Sequence, residues 1–191
     1  MTPGGARTLL LSGMAASLVV ISALFARAWK EPSRAGQGGT MQLTIGQTAP
    51  LFTFKTPEGA TKSLADFRGK TVIVYFYPKD ETPGCIKEAC SFRDHLTEFE
   101  KRGVEVLGVS ADDASSHEAF RNHYNLRFTL VPDPEGTIAR SYGVYDERRG
   151  MALRQTFVVG PKGRVEKIFR EVNAEGHAAE VLDAIGVTAK R

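Results

Sequence analysis

The run Thr71-Val-Ile-Val-Tyr-Phe-Tyr77 constrains the fold more than any other stretch of this chain. It is β-branched or aromatic throughout and lacks polar alternation. A strand with one wet face alternates, whereas a continuous apolar run of this length suits a central strand buried on both faces. Lys70 and Pro78 bound it.

The flanking periodicities supply what would cover such a strand. Ala89, Phe92, Leu96 and Phe99 recur at helical spacing and predict one helix from Gly84 to Lys101, ended by Gly103. Val104 to Ser110 reads as a second strand. Ala114 to Tyr124 reads as a second helix, with Asp112 or Asp113 as its cap. Phe128 to Val131 is a short strand, Pro132-Asp-Pro134 a turn, and Thr137 to Tyr142 a turn or two of helix. Gln155 to Val159 and Val165 to Phe169 flank Gly160-Pro-Lys-Gly163 as a hairpin, and Glu175 to Ile185 closes the chain as an amphipathic helix. A small strand pair, Leu51 to Phe54 and Thr61 to Leu64, stands in front. This order predicts an α/β domain of thioredoxin-like arrangement, a central mixed β-sheet flanked by helices. In open sheets of this kind the working site lies at the carboxyl ends of the central strands. The loop Pro78–Cys85 leaves the most apolar one.

The net charge of +3 is not a property of that domain. Residues 1–40 hold four of the 25 basic residues and one of the 22 acidic ones, which leaves 21 of each in residues 41–191. A neutral domain has no electrostatic footprint for nucleic acid. Residues 1–40 read as a signal or membrane-anchor segment plus linker, and 41–191 as one domain. Leu9 to Ala26 is uncharged, flanked by Arg7 and by Arg27 and Lys30, and long enough to be a membrane-spanning candidate. The expectation is an exported or membrane-anchored protein on the periplasmic side, with membrane contact through residues 9–26 if they are retained. Cleavage after Ala28 and a cytoplasm-facing anchor both stay open.

Cys85 and Cys90 are the only cysteines. Two thiols this close would close only a tiny loop, so their use reads as chemical rather than as scaffolding. Cys85 follows Pro83-Gly84 and opens the expected helix, beside backbone N–H groups whose positive end favours thiolate. The alternative is a buried, inert cysteine. Five residues of regular helix separate Cys90 by about 500° and about 7.5 Å of rise, hence about 8.6 Å between Cα atoms. A disulfide needs about 7 Å or less, so the pair can join only if the helix unwinds. His95 continues the series but does not share a helical face with either cysteine, and the spacing of zinc ligands is not met. No metal or cofactor is expected.

Phe76-Tyr-Pro-Lys-Asp-Glu-Thr-Pro-Gly-Cys-Ile-Lys-Glu-Ala-Cys-Ser-Phe-Arg-Asp94 resembles the peroxiredoxin family, most closely its bacterioferritin-comigratory-protein (PrxQ) branch. The similarity continues from Gly46-Gln-Thr-Ala-Pro50 through Phe128-Thr-Leu-Val-Pro-Asp-Pro-Glu-Gly136 and Tyr142-Gly-Val144 to Arg154-Gln-Thr-Phe157. Ile86 and Arg127 depart from the common pattern. The resemblance implies a thiol-dependent peroxidase acting on hydrogen peroxide and organic hydroperoxides. Cys85 would be the peroxidatic cysteine and Cys90 the resolving one, giving an intramolecular disulfide recycled by thioredoxin or a similar dithiol donor. Thr82 would set its hydroxyl on thiolate and peroxide, Pro78 would shield the sulfur, and Arg154 would stabilise the charge. Backbone groups near Gly84 would add donors to the peroxide. The branch implies a monomer. A thiol redox sensor or oxidant relay outside the cytoplasm is the alternative.

Overall fold

The computed structural model describes residues 42–56 and 58–188. The expected leader and linker lie outside them. Five strands form the main sheet: β3 (Thr71–Phe76), β4 (Val104–Ser110), β5 (Thr129–Pro132), β8 (Gln155–Val159) and β9 (Val165–Phe169), in the spatial order β5-β4-β3-β8-β9. The three strands that alternate with helices run parallel, while β8 and β9 are antiparallel additions. The sheet is therefore mixed. Two small ribbons accompany it: β1 (Thr53–Lys55) with β2 (Thr61–Ser63), and β6 (Tyr145–Asp146) with β7 (Met151–Ala152).

The apolar run is the central strand, and its side chains alternate between two cores. Val72, Val74 and Phe76 pack with Val109, Phe157 and Tyr142 on one face. Ile73, Tyr75 and Tyr77 pack with Phe92, Phe120 and Val181 on the other. On the second face lie α1 (Pro83–Asp94), α2 (Leu96–Lys101), α3 (Ala114–Tyr124) and α5 (His177–Thr188). The short helix α4 (Thr137–Ser141) covers the first face. Five residues of β3 are at most 2% exposed, which is the two-sided burial that its composition demands.

The single helix expected over 84–101 is two. The chain leaves helical geometry at His95, with φ −100° and ψ 3°, and resumes at Leu96. The His95 Nδ1 lies 2.9 Å from the Ser91 carbonyl, the same acceptor that its backbone N–H uses at 3.3 Å. A side chain competing for the carbonyl one turn back ends the ladder there. The closing helix begins at His177 rather than Glu175, and the ribbon β6–β7 has no counterpart in the sequence pattern. Among the described residues no helix is long and apolar enough to cross a membrane.

Candidate active site

The chain turns sharply between the end of β3 and the start of α1. Glu81 adopts a left-handed backbone, φ 57°, which costs a non-glycine residue energy and must be held by its surroundings. The holding is done by Asp80, which is buried. It accepts hydrogen bonds from the Tyr77 hydroxyl at 2.8 Å and the Ser116 hydroxyl at 2.7 Å, and meets His117 Nδ1 at 2.8 Å. Its own N–H donates to Asp112. Burial pushes the Asp80 carboxyl up, but the bonds and charge of His117, then Ser116 and Tyr77, outweigh that and leave it below the usual range.

Thr82 is the N-cap of α1, with Pro83 in the first helical position where its missing N–H is not needed. Cys85 is thus the third residue of the helix rather than its opening one. The Thr82 side chain caps nothing: its hydroxyl donates to the Lys79 carbonyl at 3.0 Å. The oxygen's lone pairs stay available as acceptors. Gly84 and Cys85 bring their N–H groups to the uncapped helix end, where donors have no intrahelical partner.

Cys85 is 1% exposed, so by burial alone the inert reading would stand. The Arg154 guanidinium sets the surroundings of Cys85 apart from those of a cysteine in an apolar pocket. The register Phe76↔Gln155 carries Arg154 to the same end of the sheet as the loop after β3. Its Nη2 lies 3.2 Å from Cys85 Sγ, and its Nη1 donates to the Glu88 carboxylate. A methyl group at position 84 would come within 3.2 Å of that Nη2, so the glycine leaves room for the guanidinium. Burial disfavours the Arg154 charge, but Glu88 and then Cys85 outweigh it and hold the pKa above its usual value.

Glu88 is the residue that sequence reasoning missed. It is fully buried, and burial lifts its carboxyl to about 7 against the opposing pull of Arg154. Cys85, Glu88, Ala89 and Phe92 form one stripe at helical spacing. A glutamate one turn beyond the cysteine, on an otherwise apolar stripe, was the available signal. Tyr75 adds a second such group: its hydroxyl is buried without a hydrogen-bond partner, and burial, followed by the charges of Glu88, Asp80 and Cys85, drives its pKa far up.

Cys90 is half-buried, in the same unbroken helix as Cys85, and both thiols are free. No disulfide joins them. Pro78 lines a shallow cleft of about 280 Å³ with Lys79, Asp112, Arg149 and Met151. The structure brings Cys85, Arg154, Glu88 and Gly84 together; Thr82 and Pro78 flank the same loop without a hydrogen bond to the sulfur. Among the described residues no group of three or more His, Cys, Asp or Glu could hold a metal ion.

A thiol at a helix N-terminus, a guanidinium on its sulfur and a mixed sheet with helices on both faces define a thioredoxin-fold thiol enzyme. The AhpC/TSA family model matches residues 45–168, and the chain belongs to that family, the peroxiredoxins. Its relatives place it in the PrxQ branch. It is 44% identical over 148 residues to a putative peroxiredoxin bcp of Coxiella burnetii, covering 74% of this chain and 98% of that one. It is 48% identical over 139 residues to chloroplastic peroxiredoxin Q of Populus jackii, covering 72% of this chain and 65% of that one. Among solved structures, a variant of Xylella fastidiosa PrxQ superposes with TM-score 0.72 at 31% identity, over 78% of this chain and 99% of that one. The bacterioferritin comigratory protein of Xanthomonas campestris gives 0.70 at 34%, over 78% and 98%. The chain is a thiol peroxidase.

The expectation of an exported or membrane-anchored protein is overturned. The relatives are a bacterial bcp protein and chloroplastic peroxiredoxins. The apolar stretch Leu9–Ala26, which carried that expectation, lies outside the described residues.

Proposed function

We propose that this peroxidase works by a two-cysteine cycle within one chain. The observation that carries the reading is the Arg154 guanidinium at 3.2 Å from Cys85 Sγ, at the uncapped N-terminus of α1. Both features stabilise a thiolate, the nucleophilic form. The Cys85 thiolate attacks the terminal oxygen of a peroxide; the S–O bond forms as the O–O bond breaks. The departing oxygen gathers negative charge and leaves as water or an alcohol after taking a proton. Arg154 and the N–H groups of Gly84 and Cys85 are the donors for that charge. Thr82 accepts from the peroxide O–H through lone pairs its bond to Lys79 leaves free, and Pro78 limits the approach of water.

The sulfur, oxidised by two electrons, is then a sulfenic acid. Cys90 attacks it, an S–S bond forms and water leaves. Two electrons from an external dithiol of the thioredoxin class restore both thiols. The test is a pair of variants in a peroxide-consumption assay. Cys85→Ser should consume none. Cys90→Ser should complete one turnover and accumulate a sulfenic acid trappable by dimedone. Full multiple turnover of Cys90→Ser with a dithiol reductant would rule out the resolving role.

A further inference from the structure

We infer that Cys85 and Glu88 draw in turn on the one positive charge of Arg154: Glu88 keeps a proton while Cys85 is a thiolate, and gives it to the departing oxygen. This proton supply presupposes the attack by Cys85 set out above. Arg154 Nη2 reaches Cys85 Sγ at 3.2 Å and Nη1 donates to Glu88 Oε2, so the two acids are neighbours across one guanidinium. They also stand three residues apart on α1, and neither is more than 1% exposed. One buried cation compensates one buried anion, and a second anion left unpaired away from water is costly.

Among the described residues, Arg154 is the cation whose charge acts on Glu88. The other titratable groups around the pair are the Tyr75 hydroxyl of β3, the Asp80 carboxyl of the turn and the His177 imidazole of α5. Burial keeps Tyr75 protonated and pushes His177 toward its neutral form, with Glu180 pulling the other way. Asp80 has its own partners in Tyr77, Ser116 and His117. Glu88 is not held as a permanent anion would be. A buried carboxylate needs donors on its remaining lone pairs, yet Glu88 Oε1 is buried with no hydrogen-bond partner. That oxygen is the place for a proton, and burial, outweighing Arg154, makes the carboxyl titrate at about 7. The step then keeps the buried charge constant. The S–O bond forms, and the O–O bond breaks with its electron pair on the departing oxygen. That oxygen takes the Glu88 proton and leaves as water or an alcohol. The sulfenic acid is neutral, and Arg154 now compensates the Glu88 carboxylate.

The test is infrared difference spectroscopy on the Cys90→Ser chain, isotope-labelled in its glutamate carboxyls, before and after one equivalent of hydrogen peroxide at pH 6. The C=O stretch of one protonated carboxyl should be lost and a carboxylate gained, and Glu88→Gln should abolish both changes. A carboxyl band that survives oxidation overturns the transfer, because the sulfur then keeps the charge as a sulfenate. Dimedone in a parallel sample reports the attack separately. An adduct at Cys85 without a carboxyl change defeats the proton transfer alone, whereas no adduct defeats the role of Cys85 and the transfer with it. The second measurement is the rate of Cys85 oxidation in wild type and Glu88→Gln by rapid quench. Glu88 holds its proton below about 7, so the ratio of wild-type to variant rates should fall about tenfold from pH 6 to pH 8. A ratio that stays constant or rises with pH leaves Glu88 only the aiming of Arg154 and overturns the transfer.

Discussion

Glu88 and Arg154, 66 residues apart, form an ion pair in which the carboxylate is fully buried and the guanidinium also reaches the Cys85 sulfur. Arg154 therefore divides one rigid donor fork between the Glu88 carboxylate and the Cys85 sulfur. A lysine could supply the charge but not two separated donors. Arg154→Gln should lower the rate of peroxide reaction about 10²- to 10³-fold, with Arg154→Lys recovering only part. The rate at which iodoacetamide alkylates Cys85 at a fixed pH should fall in both. An unchanged alkylation rate in Arg154→Gln would remove the guanidinium from activation of the sulfur.

The same pair makes stability depend on pH near neutrality. Burial lifts Glu88 to about 7, above its unfolded value of 4.5. Between those two values the native state holds a proton that the unfolded state has released, so stability falls as pH rises through the window. The loss sums to about 3 kcal/mol. Glu88→Gln has no proton to lose there. Denaturant melts of the two proteins at pH 5 and pH 8 should show a gap that changes by roughly that amount, with wild type giving more ground at pH 8. In the peroxide assay the variant should be slower by about tenfold, because Arg154 loses the partner that aims it.

Gly84 is required for space rather than for backbone freedom. Its φ is not in the left-handed region, and a Cβ there would meet Arg154 Nη2 at 3.2 Å. Gly84→Ala should leave the melting temperature near or slightly above wild type, since alanine favours a helix. It should still lower the peroxide rate by displacing the guanidinium. A rate loss matched by an equal loss of stability would point to a misfolded helix instead.

The sequence made the central strand and the helix start before Cys85 readable because both are local. A short β-branched and aromatic run without alternation suits a strand buried on both faces, and Pro83-Gly84 marks a helix start by itself. What it hid depends on residues far apart. Glu88 falls on the apolar stripe of α1, but its partner stays hidden until the start of β8 brings Arg154 alongside. The break at His95 turns on one side-chain nitrogen reaching a carbonyl, which leaves the hydrophobic spacing of Phe92, Leu96 and Phe99 undisturbed. The two-residue strands β6 and β7 are too short to show a period. The Thr82 hydroxyl donates its proton to the Lys79 carbonyl, a local bond that motif reasoning passes over.

Asp80 fixes the turn that presents Cys85, and its removal should show in both stability and rate. Asp80→Asn leaves His117 without its carboxylate, and breaking a buried pair costs about 3 kcal/mol. The wild-type pKa is depressed, so this stabilisation is present above the unfolded pKa and is lost as pH falls through the folded one. The stability gap between wild type and Asp80→Asn should therefore be wide at pH 7 and begin to close only as pH falls below about 4. Urea melts at both pH values measure it. A gap that stays constant would mean the aspartate acts by shape alone.

The two halves of α1 are held differently, and this sets where the helix can open. Cys85 and Cys90 sit in its first two turns, about 8.6 Å apart if the helix is regular, beyond disulfide reach. The later turns are pinned: Ser91 Oγ accepts from the Ala178 N–H of α5 at 3.3 Å, and the Phe92 ring packs on His177, Tyr75 and Phe99. Opening should then stop at Ser91. On treatment with one equivalent of peroxide, hydrogen exchange should accelerate at the amides of Ile86 to Cys90 and at those of Ser91 to Asp94, whose acceptors lie one turn back in the opened part, and stay slow from His95, which bonds to Ser91. Cys90→Ser, which cannot form the bond, should show the acceleration only weakly. Loss of protection at His95 and into α2 would mean that the whole segment detaches, and that the contacts of Ser91 and Phe92 with α5 and its neighbours are no barrier to it.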